Sequence, residues 1–222
     1  MVPVLGYWQI RGLAQPIRCV LEYGGEGYDE KFFEAGPAPD FDKSSWTSVK
    51  YTLGLPLPNL RNLPYYIDGD VKLTQSSAIL RHLGRKYDLC GKTEKQMMMV
   101  DVLMEQGKDM RMAFARLCYM TYSPETKKEY LTNLQTTLKS LSTILGNQSW
   151  FAADKITLAD FLLYEEFYVN LVLDPTCLDS FSNVKSFVKR FEDIPAIKKF
   201  MSSPKYIKHA LNAPMAKFGT GN

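Results

Sequence analysis

The chain has 222 residues, of which 45% are hydrophobic and 23% charged, a composition typical of one or two globular domains. Its 27 basic and 24 acidic residues give a formal charge of +3, which is too balanced to indicate a nucleic-acid partner. The sequence starts without a basic and apolar leader, and no apolar run reaches the length of a membrane span. We therefore expect neither export nor membrane insertion.

Cysteine and histidine usage indicates a reducing compartment and no metal centre. The four cysteines are scattered and form no CxxC pair, so they do not suggest a disulfide framework. Reduced, isolated thiols are typical of the cytosol, and we expect a cytoplasmic protein. With only two histidines in the chain, we expect no metal site built from histidine and cysteine.

The first predicted elements are a strand, a helix and a second strand. Residues 4–8 are rich in β-forming side chains. After a turn at Gly12, residues 15–23 carry apolar side chains at helical spacing, with Pro16 in the first helical turn. Residues 28–33 predict the second strand. A strand, helix and strand within about thirty residues predict a βαβ unit with two parallel strands.

The next segment predicts a hairpin and a further helix. A loop leads to a short predicted helix at 44–51, and a second proline-rich loop follows. Asp68-Gly69-Asp70 joins two short apolar runs, a strong signal for a β-hairpin. A helix is predicted after Ser76. The order β-α-β followed by β-β-α resembles a thioredoxin-like domain with one mixed four-stranded sheet, and we place this α/β domain at residues 1–88.

From Thr93 onward the pattern is helical, which predicts an all-α second domain at residues 89–222. A capping box at Thr93–Gln96 opens a helix that we expect to run through Tyr119. The next predicted helix begins at Ser123-Pro124 and ends near Gly146, and another begins at the cap Thr157–Asp160. Two more short helices are predicted around 184–191 and 195–201. The tail from Asn212 is expected to be irregular.

Three features could carry chemistry, although each has an ordinary structural alternative. Tyr7 ends the first strand, and ligands collect at the carboxyl ends of strands in α/β folds. Pro64 opens a strand and could follow a cis peptide bond, the usual trans form being the alternative. Ser76 begins a helix whose free N–H groups favour a carboxylate, unless the serine simply caps that helix.

Several motifs together resemble the mu class of cytosolic glutathione transferases. In the first domain they are Leu5-Gly6-Tyr7-Trp8, Ile10 through Arg18, Ala38-Pro39-Asp40-Phe41, Ser45-Trp46, Asn62-Leu63-Pro64-Tyr65 and Thr74 through Arg81. In the second domain they include Asp109-Met110-Arg111-Met112, Leu117-Cys118-Tyr119 and Trp150-Phe151-Ala152. The resemblance spans nearly the whole chain, and the loop at 36–42 fits the extra loop of the mu class.

The resemblance implies an enzyme that joins the thiolate of reduced glutathione to hydrophobic electrophiles. Glutathione is then a co-substrate, and no prosthetic group is implied. A free thiol has a pKa of about 8.5, so only a few per cent is ionised at pH 7. Lowering that pKa by about two units corresponds to about 2.7 kcal/mol, which is within the range of one hydrogen bond to a charged group. The resemblance gives this catalytic bond to the hydroxyl of Tyr7.

The remaining site residues are also implied by the resemblance. Trp46 and Lys50 would bind the glycine carboxylate, and Asn62 with the main chain of Leu63 would pair with the cysteinyl part. Gln75 and Ser76 would bind the γ-glutamyl end. Trp8 and Leu13 would border the thiol. Asp109 would reach the γ-glutamyl amine from a second subunit, which makes a homodimer part of the mechanism. Tyr119 matches a position that can donate a hydrogen bond to the electrophile, and the alternative is that it covers the cleft without a chemical role.

Two positions depart from the family pattern. The family usually has Pro-Asn-Leu-Pro, whereas residues 58–64 contain three more residues and repeat Asn-Leu. We prefer the register with Asn62 and Leu63 because they adjoin Pro64, and Asn59 with Leu60 is the alternative. Leu57 stands where the mu class commonly has a phenylalanine that plugs the partner subunit.

Two other functions compete with this interpretation. A non-catalytic ligand-binding or structural protein could have the same fold, although retention of Tyr7 argues against it. A thiol–disulfide oxidoreductase would need a cysteine of low pKa near a helix start. The sequence has Tyr7 at the corresponding position, and Cys19 lies inside the predicted helix.

Overall fold

The computed structural model describes residues 2–57, 59 and 61–221. Its strands are β1 (Val4–Trp8), β2 (Asp29–Phe33), β3 (Tyr65–Asp68) and β4 (Val71–Thr74). Its α-helices are α1 (Gln15–Gly24), α2 (Ser44–Thr47), α3 (Ser76–Lys86), α4 (Glu94–Arg116), α5 (Pro124–Leu145), α6 (Leu158–Leu173), α7 (Ser182–Glu192) and α8 (Pro195–Met201). A π-helical segment, Leu117–Thr121, continues α4.

The four strands form one mixed sheet in the order β2-β1-β3-β4. Strand β1 pairs in parallel with β2 and antiparallel with β3, and β3 forms the predicted hairpin with β4. A Cβ atom on Gly6 would lie 2.1 Å from the ring of Tyr65, so the glycine lets this ring lie directly against β1. The sheet, with the helices that follow it, confirms the predicted fold class.

Helix α1 buries one face against the rest of the molecule because its apolar residues recur at helical spacing. Ile17, Val20 and Leu21 are all fully buried. The helix ends before Gly25, which adopts a left-handed conformation with φ of 74°. Beyond the sheet domain, α1 contacts α6 and α8, so the first part of the chain packs directly on the helical part.

The helices of the second half begin where the sequence predicts. Thr93, Ser123 and Thr157 each form a capping box at the start of a helix. The predicted helix through Tyr119 has the expected extent, but its last turn is π-helical rather than α-helical. The predicted helix at 44–51 is shorter, because α2 ends at Thr47 and turns continue to Thr52. The domain boundary at residue 88 stays a prediction.

Candidate active site

A cleft of about 510 Å³ opens at the carboxyl ends of β1 and β2. The sheet side contributes Tyr7 and Trp8, and the π-helical segment contributes Tyr119. Residues from 210 to 220 form a further wall. The cleft therefore lies between the sheet and the helical half of the chain, at the sheet edge where ligands are expected in α/β folds.

Tyr7 is held by a backbone hydrogen bond to its oxygen that leaves its own hydroxyl proton available to a ligand. The side chain is 6% exposed, and the backbone N–H of Leu13 donates to its Oη over 3.1 Å. Burial raises the pKa of Tyr7, and the Leu13 N–H opposes this rise together with the charges of Arg111 and Arg18. The phenol therefore keeps its proton at neutral pH, and that proton is free to point into the cleft.

The turn after β1 brings the Leu13 N–H to Tyr7. Gly12 has φ of 41°, and a Cβ atom there would lie 2.6 Å from Tyr7 Oη, so only glycine fits. The N–H of Gly12 donates to the carbonyl of Leu211 over 3.1 Å, and the N–H of Arg11 donates to that of Ala210 over 2.7 Å. The turn is thus fixed from outside by residues about 200 positions further along the chain.

The buried side chain of Arg11 joins this turn to α6. Its Nε and Nη2 donate to the two carboxylate oxygens of Glu165 over 3.0 and 2.5 Å, and Nη1 donates to the carbonyl of Ile207. The guanidinium also lies 3.9 Å from the ring centroid of Tyr168. Sequence reasoning missed this pair because its members are 154 residues apart. It ties the turn after β1 to the helical half.

Tyr119 approaches the cleft from the opposite side. The π-helical segment places it there, and π-helical turns often occur at functional sites. The backbone N–H of Ala213 donates to its Oη over 2.7 Å, so its own proton is also free for a ligand. Burial raises the pKa of Tyr119, which keeps this phenol protonated.

Of the two residues predicted to bind the glycine carboxylate, Trp46 lines the cleft and Lys50 does not. Trp46 is buried between the rings of Phe33 and Tyr65 and lines the cleft. Lys50 does not line the cleft, and its Nζ lies 4.9 Å from the ring centroid of Tyr51. Lys43 lines the cleft instead, a residue that sequence reasoning missed. Its position three residues before Trp46, one helical turn away, could have indicated it.

The segment predicted to pair with the cysteinyl part borders the cleft at Asn62. The Leu63–Pro64 peptide bond is cis. The N–H of Leu63 donates to Oδ1 of Asn62 over 2.9 Å. In the alternative register, Asn59 does not line the cleft and Leu60 lies outside the described residues. The preferred register stays a prediction.

The other predicted contacts lie outside the lining of the cleft. Gln75 is exposed, with φ of 71°, and precedes α3 without a side-chain capping bond. Ser76 is the first residue of that helix, so the alternative that Ser76 is its cap was wrong. Leu13 is 40% exposed and contributes its backbone N–H, and Asp109 is exposed on α4. The cleft itself brings together Tyr7, Trp8, Trp46, Asn62 and Tyr119.

Within the described residues, no cluster of three or more His, Cys, Asp or Glu side chains could hold a metal ion. None of the described helices has both the length and the hydropathy of a membrane-spanning segment. The residues that line the cleft include two phenols, two indoles and a lysine.

Comparison with known proteins assigns the family. Residues 3–85 match the model of the glutathione S-transferase N-terminal domain, and residues 108–204 match that of the C-terminal domain. The chain belongs to the glutathione S-transferase family.

The similar relatives carry mu-class names. The chain is 48% identical to glutathione S-transferase Mu 2 of Macaca fuscata fuscata over 99% of both chains. It is 47% identical to glutathione S-transferase Mu 7 of Rattus norvegicus, covering 99% of this chain and all of the relative. Among solved structures, the glutathione S-transferase Blo t 8 superposes with a TM-score of 0.87 at 29% identity, covering 97% of this chain and 99% of the other. The pi-class enzyme of Onchocerca volvulus superposes with a TM-score of 0.84 at 32% identity, covering 97% and 100%.

Proposed function

We propose that this chain conjugates reduced glutathione to hydrophobic electrophiles, with Tyr7 as the catalytic residue. The observation that carries the proposal is the hydrogen bond from the Leu13 N–H to Tyr7 Oη. Because the oxygen already accepts a bond from the backbone, the phenolic proton remains for the sulfur of a bound thiol. A donor fixed in this way stabilises the thiolate and costs no reorganisation when glutathione binds.

The cleft offers suitable partners for the glycine end and the middle of glutathione. Lys43 supplies a cation for the glycine carboxylate beside the indole of Trp46. Leu63 can exchange its bond to Asn62 Oδ1 for the cysteinyl carbonyl, with Asn62 turning to the ligand. The roles of Lys50, Gln75, Ser76 and a partner's Asp109 rest on the family resemblance.

The apolar part of the cleft between Trp8 and Tyr119 receives the electrophile. Tyr119 donates its free proton to an oxygen on that substrate, because its Oη is already occupied by the Ala213 N–H. Trp8 borders the same space and packs edge-on against Phe33. Tyr7 therefore acts on the sulfur, and Tyr119 acts on the group that the sulfur attacks.

The active form is a homodimer in this proposal. Leu57 is 56% exposed with φ of 54° and projects from the loop before β3. A groove of about 180 Å³ lies between α4 and α5, and Val102, Leu141 and Ile144 contribute apolar walls to it. The groove of one protomer receives Leu57 of the other, since an exposed apolar side chain then meets the apolar walls of the groove.

The free thiols support a cytosolic location. All four cysteines are free and buried or half-buried in the structure. Burial also raises the pKa of Cys19 to about 12, which excludes it as the low-pKa thiol that a thiol–disulfide oxidoreductase needs.

Replacing Tyr7 by phenylalanine tests the proposed mechanism. Tyr7→Phe removes the phenolic donor and keeps the ring. The pH at which bound glutathione is half ionised should rise by about two units, and kcat/KM at pH 7 should fall by about 25-fold with the thiolate fraction. Ultraviolet absorbance of the bound thiolate measures the first effect, and a conjugation assay with an aromatic halide measures the second. The affinity for glutathione at pH 7 should fall by only about fourfold, which is the loss that the two-unit shift itself requires, because the other contacts that hold the tripeptide are kept.

An unchanged thiolate titration in Tyr7→Phe would remove Tyr7 from the mechanism. If the unmodified chain bound glutathione but formed no conjugate with several electrophiles, the non-catalytic alternative would replace the proposed function.

A further inference from the structure

The loop between α2 and β3 is closed on itself by one side chain. Arg61 Nε donates to the carbonyl of Leu55 over 2.9 Å, and its Nη1 donates to the carbonyl of Tyr51 over 3.2 Å. The guanidinium carbon also lies 5.7 Å from the ring centroid of Tyr51. A single planar group thus joins positions six and ten residues earlier in the chain.

Both ends of this closure lead to walls of the glutathione site. Arg61 is followed directly by Asn62, which lines the cleft. Tyr51 follows Lys50, whose backbone N–H donates to the carbonyl of Trp46, a lining residue, over 3.1 Å. Leu55 is almost fully buried, so its carbonyl is a fixed acceptor. Arg61 therefore sets the position of the Asn62 segment relative to the wall that carries Trp46.

The contacts of Arg61 depend on shape more than on charge. Both of its acceptors are neutral carbonyl oxygens, and the described residues provide no carboxylate partner for it. A guanidinium can donate to two acceptors from one rigid plane, whereas a lysine ammonium is a single point on a flexible stem. A lysine at this position would keep the charge but could not donate the two simultaneous hydrogen bonds to the carbonyls of Tyr51 and Leu55.

We propose that Arg61 is a positioning residue for glutathione, which holds Asn62 and Leu63 in place for the cysteinyl part of the ligand. The inference rests on the proposed function, since it gives these two residues the role assigned there. Arg61 does not touch the sulfur or Tyr7, so its effect falls on binding and leaves the ionisation of the thiol unchanged.

Calorimetric titration of glutathione into Arg61→Ala tests the proposal. The Kd should rise about tenfold, comparable to the loss of one hydrogen bond from a charged donor. The KM for glutathione should rise in parallel, whereas kcat at saturating glutathione and the pH of half-ionisation of bound glutathione should not change. Arg61→Lys should bind glutathione about as weakly as Arg61→Ala, because its charge cannot replace the two-bond fork.

Arg85→Ala is the matched control, because Arg85 is an exposed arginine in α3 outside the cleft lining and should bind glutathione as the unmodified chain does. Thermal unfolding of all variants shows whether any loss of affinity comes only from lost stability.

Three results would overturn the proposal. The first is an unchanged Kd for glutathione in Arg61→Ala, and the second is an Arg61→Lys variant that binds glutathione as tightly as the unmodified chain. The third is a rise in the pKa of bound glutathione in Arg61→Ala alongside the rise in Kd. Failure of the proposed function is a separate outcome, because it would appear in the unmodified chain as glutathione binding without conjugation. In that case the Kd values of the variants still decide the role of Arg61.

Discussion

The two sides of the cleft present the same chemical group by different structural means. On the sheet side, Tyr7 receives the N–H of Leu13, six residues away in the same turn. On the helical side, Tyr119 receives the N–H of Ala213, 94 residues away. Tyr7 is buried and its turn is fixed by Gly12 and Arg11, whereas Tyr119 is half-buried on a π-helical turn.

This difference suggests a division between precision and adaptability. The sulfur of glutathione is the same in every reaction, so its donor benefits from a fixed position. The electrophile varies, so a donor supported by an irregular helical turn and a distant segment can adjust. We therefore expect changes on the sheet side to impair all substrates equally, and changes at Tyr119 to depend on the electrophile.

The largest effect is expected from Gly12→Ala on the sheet side. The new methyl group would lie 2.6 Å from Tyr7 Oη, and the left-handed backbone adds about 1–2 kcal/mol of strain. We expect kcat/KM at pH 7 to fall by about 25-fold or more with every electrophile, as the displaced phenol no longer meets the sulfur. Steady-state kinetics with an aromatic halide and an epoxide would measure this.

Gly27→Ala is the control for this substitution, because a Cβ atom there meets nothing within 4 Å. A Gly12→Ala enzyme with normal activity would mean that the turn is not rigid.

A substitution at Asp160 would test the support of the helical side without touching the cleft. The buried carboxylate accepts hydrogen bonds from the N–H groups of Phe151 (2.9 Å) and Thr157 (2.7 Å) at the start of α6. In Asp160→Asn, an NH₂ group would replace one carboxylate oxygen and face a backbone N–H that needs an acceptor. The free energy of unfolding should therefore fall by about 2–3 kcal/mol. Urea denaturation would measure it.

For the exposed control Asp154→Asn we expect a change within about 0.5 kcal/mol. Equal stability of both variants would show that the cap of α6 does not need a carboxylate. The kcat of folded Asp160→Asn should be normal.

The smallest effect is expected from Tyr119→Phe. Loss of one neutral donor to the electrophile should lower kcat/KM by up to about tenfold for substrates that develop charge on oxygen, and by less than about twofold for others. The thiolate pKa should not move, because Tyr7 keeps its own proton. Epoxide opening and halide displacement, compared in one preparation, would reveal the contrast.

Tyr122→Phe is the control, since this ring stacks on Phe218 and does not line the cleft. A uniform loss with all electrophiles in Tyr119→Phe would contradict the division between the two sides.

The sequence predicts the regular elements well because their signals are local. The Asp68-Gly69-Asp70 turn and the capping boxes at Thr93, Ser123 and Thr157 lie where their residue types indicate. Tyr7 at the end of β1 is also a local signal, and the family resemblance gives it a chemical role. For such features a few neighbouring residues determine the geometry.

Features that join distant parts of the chain were not predictable in this way. The pair of Arg11 and Glu165 connects residues with no pattern in common. The π-helical turn at Tyr119 has no sequence signature, and the spacing of Lys43 from Trp46 indicates a role for this lysine only once Trp46 is placed in the cleft. The hydrogen bonds from the backbone N–H groups of Leu13 and Ala213 to the two tyrosine oxygens depend on turn geometry, which side-chain identity does not specify.

The hydrogen bonds made by residues 210–213 have a consequence for how the enzyme is made. The turn after β1 is synthesised about 200 residues before the carbonyls of Ala210 and Leu211 that hold it and the Ala213 N–H that orients Tyr119. A ribosome-bound chain that has not reached residue 213 therefore lacks a finished catalytic centre, however well its sheet has folded. Conjugating activity then reports that synthesis has passed this point.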